Sequence, residues 1–433
     1  MSQGKLLSAV SNRIKVTFSS LKHKDFRYFW LGQCISLIGT WTQRSAQVWL
    51  VYTMTNSPFL LGLLGVAQFL PLLLLSLFAG VFVDRFAKKK IIYLTQIGFM
   101  IQSVALAYVV WSGKAEYWHV LLLAAVFGCL QTIDMPARQS WFINMVGKED
   151  LPNAISLNST VSTLAKILGP AIAGLIAIKF GMVLCFFLNG ISYIPVLFSL
   201  FFIKAQDFPK PKGSTGVFIE AIEGLRHIAG NITLRTTILS MFVFCTFAMN
   251  TSVIIPVFAD TVLMRGINGY TTLLSATAVG SFIGAIYMAN RSEKVRKKQL
   301  ILDTINISVL HILSACIGIY PISLAFMVMI GFLSITFLNM ANSILQLNTT
   351  DAYRGRVMSI YALVNNGSHP LGNVLAGTLM EYHGAAMGFA GCGMITLGLT
   401  GLMFLLTPMK EYLQNDDSTS INKPLNSDHT ESL

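Results

Sequence analysis

Three basic side chains stand where an apolar setting should exclude them. Arg44, Lys166 and His369 each fall inside an apolar run long enough to cross a membrane. An ionisable group at the centre of a span costs about 2.5–3.5 kcal/mol on insertion scales, so it marks a functional site by default. Arg44 lies among the amides Gln33, Gln43 and Gln47. Lys166 lies roughly 20 Å into its run by helical rise, and His369 lies at similar depth in another, close to Asn365 and Asn366. No carboxylate stands at that depth. A cation in a low-dielectric cavity favours an anion, so these residues predict a basic, amide-rich binding cavity. Its substrate-contacting members are expected to be Arg44, Lys166, His369, Gln33, Gln47 and Asn365, with Asn158, Asn250, Asn339 and Asn342 and the aromatics Trp41, Trp49 and Tyr361 nearby. An organic anion bearing carboxylates or catecholates fits such a cavity; a lipophilic cation does not. The competing structural readings are a snorkelling or buried lysine and a hydrogen-bonded packing histidine.

Asp134 and Arg138 are four residues apart near the end of a run, at ion-pair spacing. They read as a structural or gating pair, or as a proton-coupling site with Asp134 as the titrating group. His369 is the other proton-coupling candidate, because an imidazole titrates near neutral pH. Asp260 lies near the far end of its run. Pro170 and Pro370 sit among small residues within two of the runs and predict static kinks or flexion points.

The elements that hold these residues follow from composition. The chain has 433 residues, 54% hydrophobic and 12% charged, with mean hydropathy +0.63. Soluble domains carry about 25% charged residues. Half that charge and long apolar blocks predict an all-α polytopic membrane protein. Twelve spans are expected, at 26–54, 59–83, 91–111, 118–138, 154–178, 182–203, 236–260, 270–290, 300–319, 323–346, 356–380 and 386–407. With both termini in the cytoplasm, 26 of the 31 Lys and Arg lie on that side, and only Lys114, Lys179 and Arg265 lie opposite. The net charge of +12 is therefore a topology signal, and no nucleic-acid partner is expected. The six cysteines all fall within apolar runs without CxxC spacing, so neither disulfides nor metal sites are expected. The N-terminus shows no cleavable signal pattern.

The chain divides into a cytoplasmic N-tail (1–25), a six-span bundle (26–203), a cytoplasmic linker (204–235), a second six-span bundle (236–407) and a C-tail (408–433) expected to be disordered. Within the linker, Val217, Ile219, Ile222, Leu225 and Ile228 recur at helical spacing and predict an amphipathic helix on the membrane surface. The two halves repeat at an offset of 203: Leu168-Gly169 falls on Leu371-Gly372, Ala173-Gly174 on Ala376-Gly377, Gly181 on Gly384, and Lys166 on His369.

Between the second and third spans lies Gly80-Val-Phe-Val-Asp-Arg-Phe-Ala-Lys-Lys-Lys90, a tight basic hairpin. Six spans plus six, a basic linker and this GxxxDRxxKK stretch resemble the major facilitator superfamily; the second glycine common after the Asp-Arg pair is Ala87 here. Asp134-Met-Pro-Ala-Arg-Gln, Lys148-Glu-Asp-Leu-Pro-Asn-Ala, Gly169-Pro-Ala-Ile-Ala-Gly and Arg354-Gly-Arg-Val-Met-Ser resemble its drug- and siderophore-exporting branch. The resemblance implies two pseudo-symmetric six-helix bundles that rock about a central site, with spans 1, 4, 7 and 10 innermost. It implies a gate at Gly80, Asp84, Arg85 and Lys88 that closes the cytoplasmic ends when the site faces outward. Lys89 and Lys90 read more simply as positive-inside anchors.

The reading that results is a secondary active exporter in a bacterial inner membrane. It moves a small organic molecule, preferably an anionic siderophore, outward by alternating access with inward proton movement. A multidrug or macrolide-type efflux pump is the alternative, and a non-transporting membrane scaffold or sensor is the alternative of another class. No phosphate-cradling GxxxxGK[ST] loop and no defensible Ser/His/Asp set occur, so an enzyme is not expected. No cofactor is expected; the partners are the substrate and the bilayer, and the chain is expected to act as a monomer.

Overall fold

The computed structural model describes residues 18–205, 217–290 and 297–406. The N-tail before Phe18, the Pro/Gly part of the linker, the basic turn at 291–296 and the C-tail lie outside the described residues. Long apolar runs become helices because lipid offers backbone groups no other partner. In chain order they are α1 (Lys24–Thr55), α2 (Pro58–Arg85), α3 (Lys88–Trp111), α4 (Tyr117–Phe180), α5 (Met182–Ser192), α6 (Ile194–Phe202), α7 (Val217–Gly230) and α8 (Ile232–Val243). A π-helical turn (Phe244–Ala248) leads on to α9 (Thr251–Thr261), α10 (Gly266–Asn290), α11 (Lys297–Cys316), α12 (Tyr320–Leu347), α13 (Asp351–Gly367), α14 (His369–His383) and α15 (Ala385–Leu406).

Nine helical stretches among the described residues are long and apolar enough to cross a membrane. The 64-residue α4 covers two expected spans, because Gly147 (φ 74°, ψ 177°) turns the chain back inside it. α1 is the more polar span at 26–54, and the span at 356–380 is divided at Ser368 into α13 and α14. The described helices are thus consistent with twelve spans.

Two boundaries differ from expectation. The turn placed at 138–153 is helical except at Gly147, since Trp141, Phe142, Met145 and Val146 bury an apolar face against Phe26 and Phe29. α8 begins four residues early, because the Asn231 side chain caps it by accepting from the Thr233 and Leu234 amides. The linker helix forms as α7, but it packs on α13 rather than lying on lipid alone. His227 stacks on Tyr353 at 4.2 Å, and Glu223 pairs with Arg356 at 2.9 Å. Ile228 is buried there, while Ile222 and Leu225 stay exposed.

The repeat is visible in the backbone. Gly181 (φ 83°) and Gly384 (φ 86°), both at ψ 165°, cap α4 and α14, with their amides donating to the Ala177 and Met380 carbonyls, themselves 203 apart. Positive φ at both positions suits glycine. Gly174 approaches Thr271 on α10, and Gly377 approaches the Pro58 carbonyl on α2. The second limb of α4 thus packs on α10 as α14 packs on α2, and these two contacts join the halves. The prolines sit differently: Pro170 lies within the second limb of α4, whereas Pro370 lies in the first turn of α14, just after Ser368, which keeps right-handed helical φ/ψ (−78°, −24°).

Candidate functional site

Between the halves lies a cavity of about 280 Å³. α1 contributes Trp41, Arg44 and Ser45; α2 contributes Gln68 and Phe69; α4 contributes Lys166; α10 contributes Tyr270; and α14 contributes His369. The three basic side chains predicted from sequence therefore meet on one cavity, Arg44 and Lys166 from the first half and His369 from the second. No carboxylate is among the described lining residues. The remaining wall is largely apolar, with Val48, Leu61, Leu64 and Leu274. A larger groove of about 480 Å³ on α10, α11 and α12 is lined by aliphatic residues, Phe332 and Asn306, and holds no charge.

Aromatic rings seat the cations. The Arg44 guanidinium carbon lies 5.1 Å from the Trp41 ring centre, 5.5 Å from Phe69 and 5.8 Å from Phe127. The Lys166 ammonium lies 5.4 Å from Trp41, and the His369 ring tilts against Phe69 at 5.0 Å. Arg44 donates to the Gln68 side-chain carbonyl at 3.3 Å. Lys166 has exposed surface opening on the cavity. Such cation–ring contacts contribute about 0.5–2 kcal/mol each and hold charge without neutralising it.

The amide part of the expectation is corrected. Gln33 accepts from Arg138 at 2.6 Å and is buried within the first half. Gln47 donates to the Val120 carbonyl at 3.4 Å, away from the cavity. Asn365 faces Cys245 at 3.8 Å, and Asn250 is buried where the π-turn meets α9. Trp49 does not line the cavity but stacks on Tyr270, which does. Amides satisfy one another inside a bundle as readily as they face a substrate, so residue type alone did not assign them. Gln68, which touches Arg44, was missed, although it is the one amide in the apolar run 59–83.

Asp134 pairs with Arg138 as its spacing predicted, and also accepts from Thr95 (2.6 Å) and Gln96 (3.1 Å) on α3. It is fully buried among the helices of the first half rather than on the cavity. The second half has a carboxylate that was overlooked. Asp303 on α11 is also fully buried and accepts from Gln299 (2.7 Å) and from Thr336 on α12 (2.9 Å).

At the stretch expected to act as a gate, α2 ends at Arg85 and α3 begins at Lys88. Asp84 and Arg85 are exposed, Lys88 is buried, and Lys89 donates to the Ile203 carbonyl at 2.8 Å. Among the described residues, and apart from its own helix backbone, nothing lies within 4 Å of where a Cβ on Gly80 would stand. The opposite ends of the bundles are bonded together. Tyr52 on α1 donates to Asp260 on α9 at 3.1 Å. Glu381 on α14 accepts from the Ser57 hydroxyl (2.8 Å) and the Phe59 amide (3.2 Å) at the start of α2.

At the end where α2 and α3 meet, the turn Ser19–Lys22 docks on the second limb of α4: Ser20 bonds Asn153, and Lys22 and His23 converge on Asp150 at 2.7 and 2.8 Å. Lys22, then His23 and Ser19, hold the Asp150 carboxyl well below the usual carboxylate range.

The sequence is similar to membrane transporters along nearly its whole length. It is 23% identical over 394 residues to the staphyloferrin A transporter of Staphylococcus aureus (88% of this chain, 96% of the relative). It is 24% identical over 405 residues to the enterobactin exporter EntS of Escherichia coli (90% and 94%). It is 23% identical over 391 residues to the multidrug efflux pump Tap of Mycobacterium tuberculosis (88% and 92%). The fold is similar to the nucleoside transporter NupG (TM-score 0.71, 8% identity, 88% of this chain and 98% of that one). It is also similar to a bacterial homologue of the human lysosomal transporter Spinster (TM-score 0.68, 14% identity, 89% and 97%). Residues 15–431 match the model of the transmembrane secretion effector family. Helical spans paired across two halves, a charged cavity between them and a match that takes in both halves make this chain a multi-pass membrane transporter of the transmembrane secretion effector family, within the major facilitator superfamily.

Proposed function

We propose that the chain exports a small acidic organic molecule, of the siderophore type, across the inner membrane of a bacterium. The observation that carries this reading is the meeting of Arg44, Lys166 and His369 on one cavity whose described lining contains no carboxylate. The cations Arg44 and Lys166, with the His369 imidazole as a further donor, favour an anionic occupant, and contributions from both halves let that occupant bias the rocking between states. The relatives named for staphyloferrin A and enterobactin support the same substrate class. Proton antiport is the coupling in this reading, with Asp134 as its titrating group and the Gly80–Lys88 stretch as the gate. The protein works as a monomer with both termini in the cytoplasm.

Efflux of uncharged drugs is the second reading. The apolar wall of Val48, Leu61, Leu64 and Leu274 and the similarity to Tap favour it. Comparing metabolites in spent medium from wild-type and deletion cells, under iron limitation and iron excess, tests the proposal. An acidic chelator missing from the deletion medium is the expected result. An unchanged acidic fraction, with the deletion strain newly sensitive to neutral drugs, would favour the second reading. Efflux from vesicles with and without an imposed pH gradient tests the coupling; a rate indifferent to the gradient removes proton antiport.

A further inference from the structure

The aromatic side chains on the charged side of the cavity would ordinarily be read as platforms on which a flat substrate stacks. Their geometry says otherwise. Trp41 already has two cations over it, Arg44 at 5.1 Å and Lys166 at 5.4 Å. Phe69 has Arg44 at 5.5 Å and the His369 ring at 5.0 Å. Lys166, Trp41, Arg44, Phe69 and His369 thus form one alternating row of basic groups and rings that crosses from the first half to the second. Ring surface occupied by a cation is not available to a substrate ring, because stacking there would first strip the cation of its seat. What the row leaves available is hydrogen-bond donors. Arg44 has five N–H groups, and its one side-chain hydrogen bond among the described residues is the 3.3 Å contact to Gln68. The Lys166 ammonium has three, and among the described residues it makes no hydrogen bond or ion pair.

We infer that the site reads aliphatic carboxylate groups, at least two per molecule, rather than an aromatic or catechol ring. This deepens the anion-export reading and rests on it. A carboxylate accepts two parallel N–H bonds from a guanidinium in plane, a geometry that a ring face cannot supply. A free catechol is protonated at neutral pH and brings no charge to three basic groups. Two or more carboxylates on one flexible molecule can engage Arg44 or Lys166 in the first half and His369 in the second. Trp41 and Phe69 then act as positioning residues that hold the cations toward the cavity and exclude flat ligands.

Calorimetric titration of the full-length protein in lipid nanodiscs tests this. The probes are tricarballylate, 2,3-dihydroxybenzoate, inorganic phosphate and tetraphenylphosphonium. Saturable binding of tricarballylate is expected, weakened roughly tenfold or more by Arg44→Gln and by Lys166→Gln. Trp41→Leu keeps every charge, and should also weaken tricarballylate while leaving dihydroxybenzoate no worse. Each variant is compared only if its thermal unfolding matches wild type. Should unfolding exclude the Gln variants, Arg44→Lys, which keeps charge but loses the fork, takes their place. If dihydroxybenzoate or phosphate binds with the same dependence and tricarballylate does not, the carboxylate inference fails and anion export stands. If only tetraphenylphosphonium binds, both fail. Tricarballylate binding that ignores Trp41→Leu, while dihydroxybenzoate binding is lost, restores the stacking role and overturns the inference. The absence of a saturable tricarballylate response also overturns it.

Discussion

Removing the Glu381 carboxylate should loosen one end of the transporter without touching its cavity. Glu381 accepts from the Ser57 hydroxyl and the Phe59 amide, and so joins α14 in the second half to the first turn of α2 in the first. That turn is a helix N-terminus, opened by Ser57 as cap and Pro58 as first residue, where a carboxylate is favoured by the exposed amides. Charge-assisted hydrogen bonds can contribute about 1.5–3 kcal/mol. Glu381 is exposed, so screening cuts this contact to about 1 kcal/mol. A contact present in only one of two states shifts their equilibrium by its full free energy, here about fivefold toward opening at this end. Glu381→Gln keeps the size and removes the charge. Ser252 on α9 also lines the cavity, and a cysteine placed there, in a background lacking the native cysteines, would report opening through its labelling rate with an impermeant maleimide. Applied from the Asp260 side, the reagent should label Glu381→Gln about five times faster than wild type at low salt. Adding Tyr52→Phe, which removes the 3.1 Å bond to Asp260, should raise the rate several-fold further. Unchanged or slower labelling in the double variant would show that these bonds do not close that end, and the alternating-access account of this structure would fail.

Four further outcomes follow from the structure. Gly80→Ala meets no neighbour among the described residues and should gain up to about 1 kcal/mol of helix stability, so any loss of transport would report gating rather than packing. Gly372→Ala, by contrast, would drive a methyl into the Thr246 carbonyl oxygen and should lower the unfolding temperature or folded yield by an amount equivalent to about 1–3 kcal/mol. Asp84→Asn should cut transport by more than tenfold while leaving substrate binding within about twofold, measured in vesicles and nanodiscs; unaltered transport would favour a scaffold. The depressed Asp150 carboxyl sets a pH window. Its folded-state value lies below the unfolded value of about 3.9, so its contribution is fully present above that pH and is lost as pH falls through the folded value. Hydrogen exchange at the Ser20 amide, bonded to Asn153, should therefore stay protected at pH 5 relative to intrinsic exchange, and Asp150→Asn should remove that protection.

Much of the fold was legible because lipid leaves the backbone few choices. Helices follow the apolar runs, and the offset of 203 was readable as paired glycines: Gly181 and Gly384 share one backbone geometry, and Gly174 and Gly377 each stand at a close approach of the opposite half. Charge was legible for a related reason: Arg44, Lys166 and His369 are costly in lipid unless they face a cavity or partner, and all three reach one cavity. Facing was not legible for neutral amides. α1 has almost no polar-to-apolar asymmetry around its axis, so nothing separates Gln33 and Gln47, which turn inward, from Arg44, which lines the cavity. Nor could a run of residues reveal that Gly147 alone reverses the chain between two limbs of an otherwise continuous helix. Asp303 escaped notice because it lies close to a span end, where a carboxylate is ordinary, yet it is fully buried.

In the export proposed for this chain, the Arg44–Lys166–His369 cavity carries an organic anion. Efflux from reconstituted vesicles tests it most directly, comparing wild type with Arg44→Gln and Lys166→Gln. The cargo would be the acidic metabolite missing from deletion-strain medium, with a neutral macrolide measured in parallel. Either substitution should abolish efflux of the acid and leave any macrolide efflux unchanged. Export of the acid at the wild-type rate by both variants would contradict it.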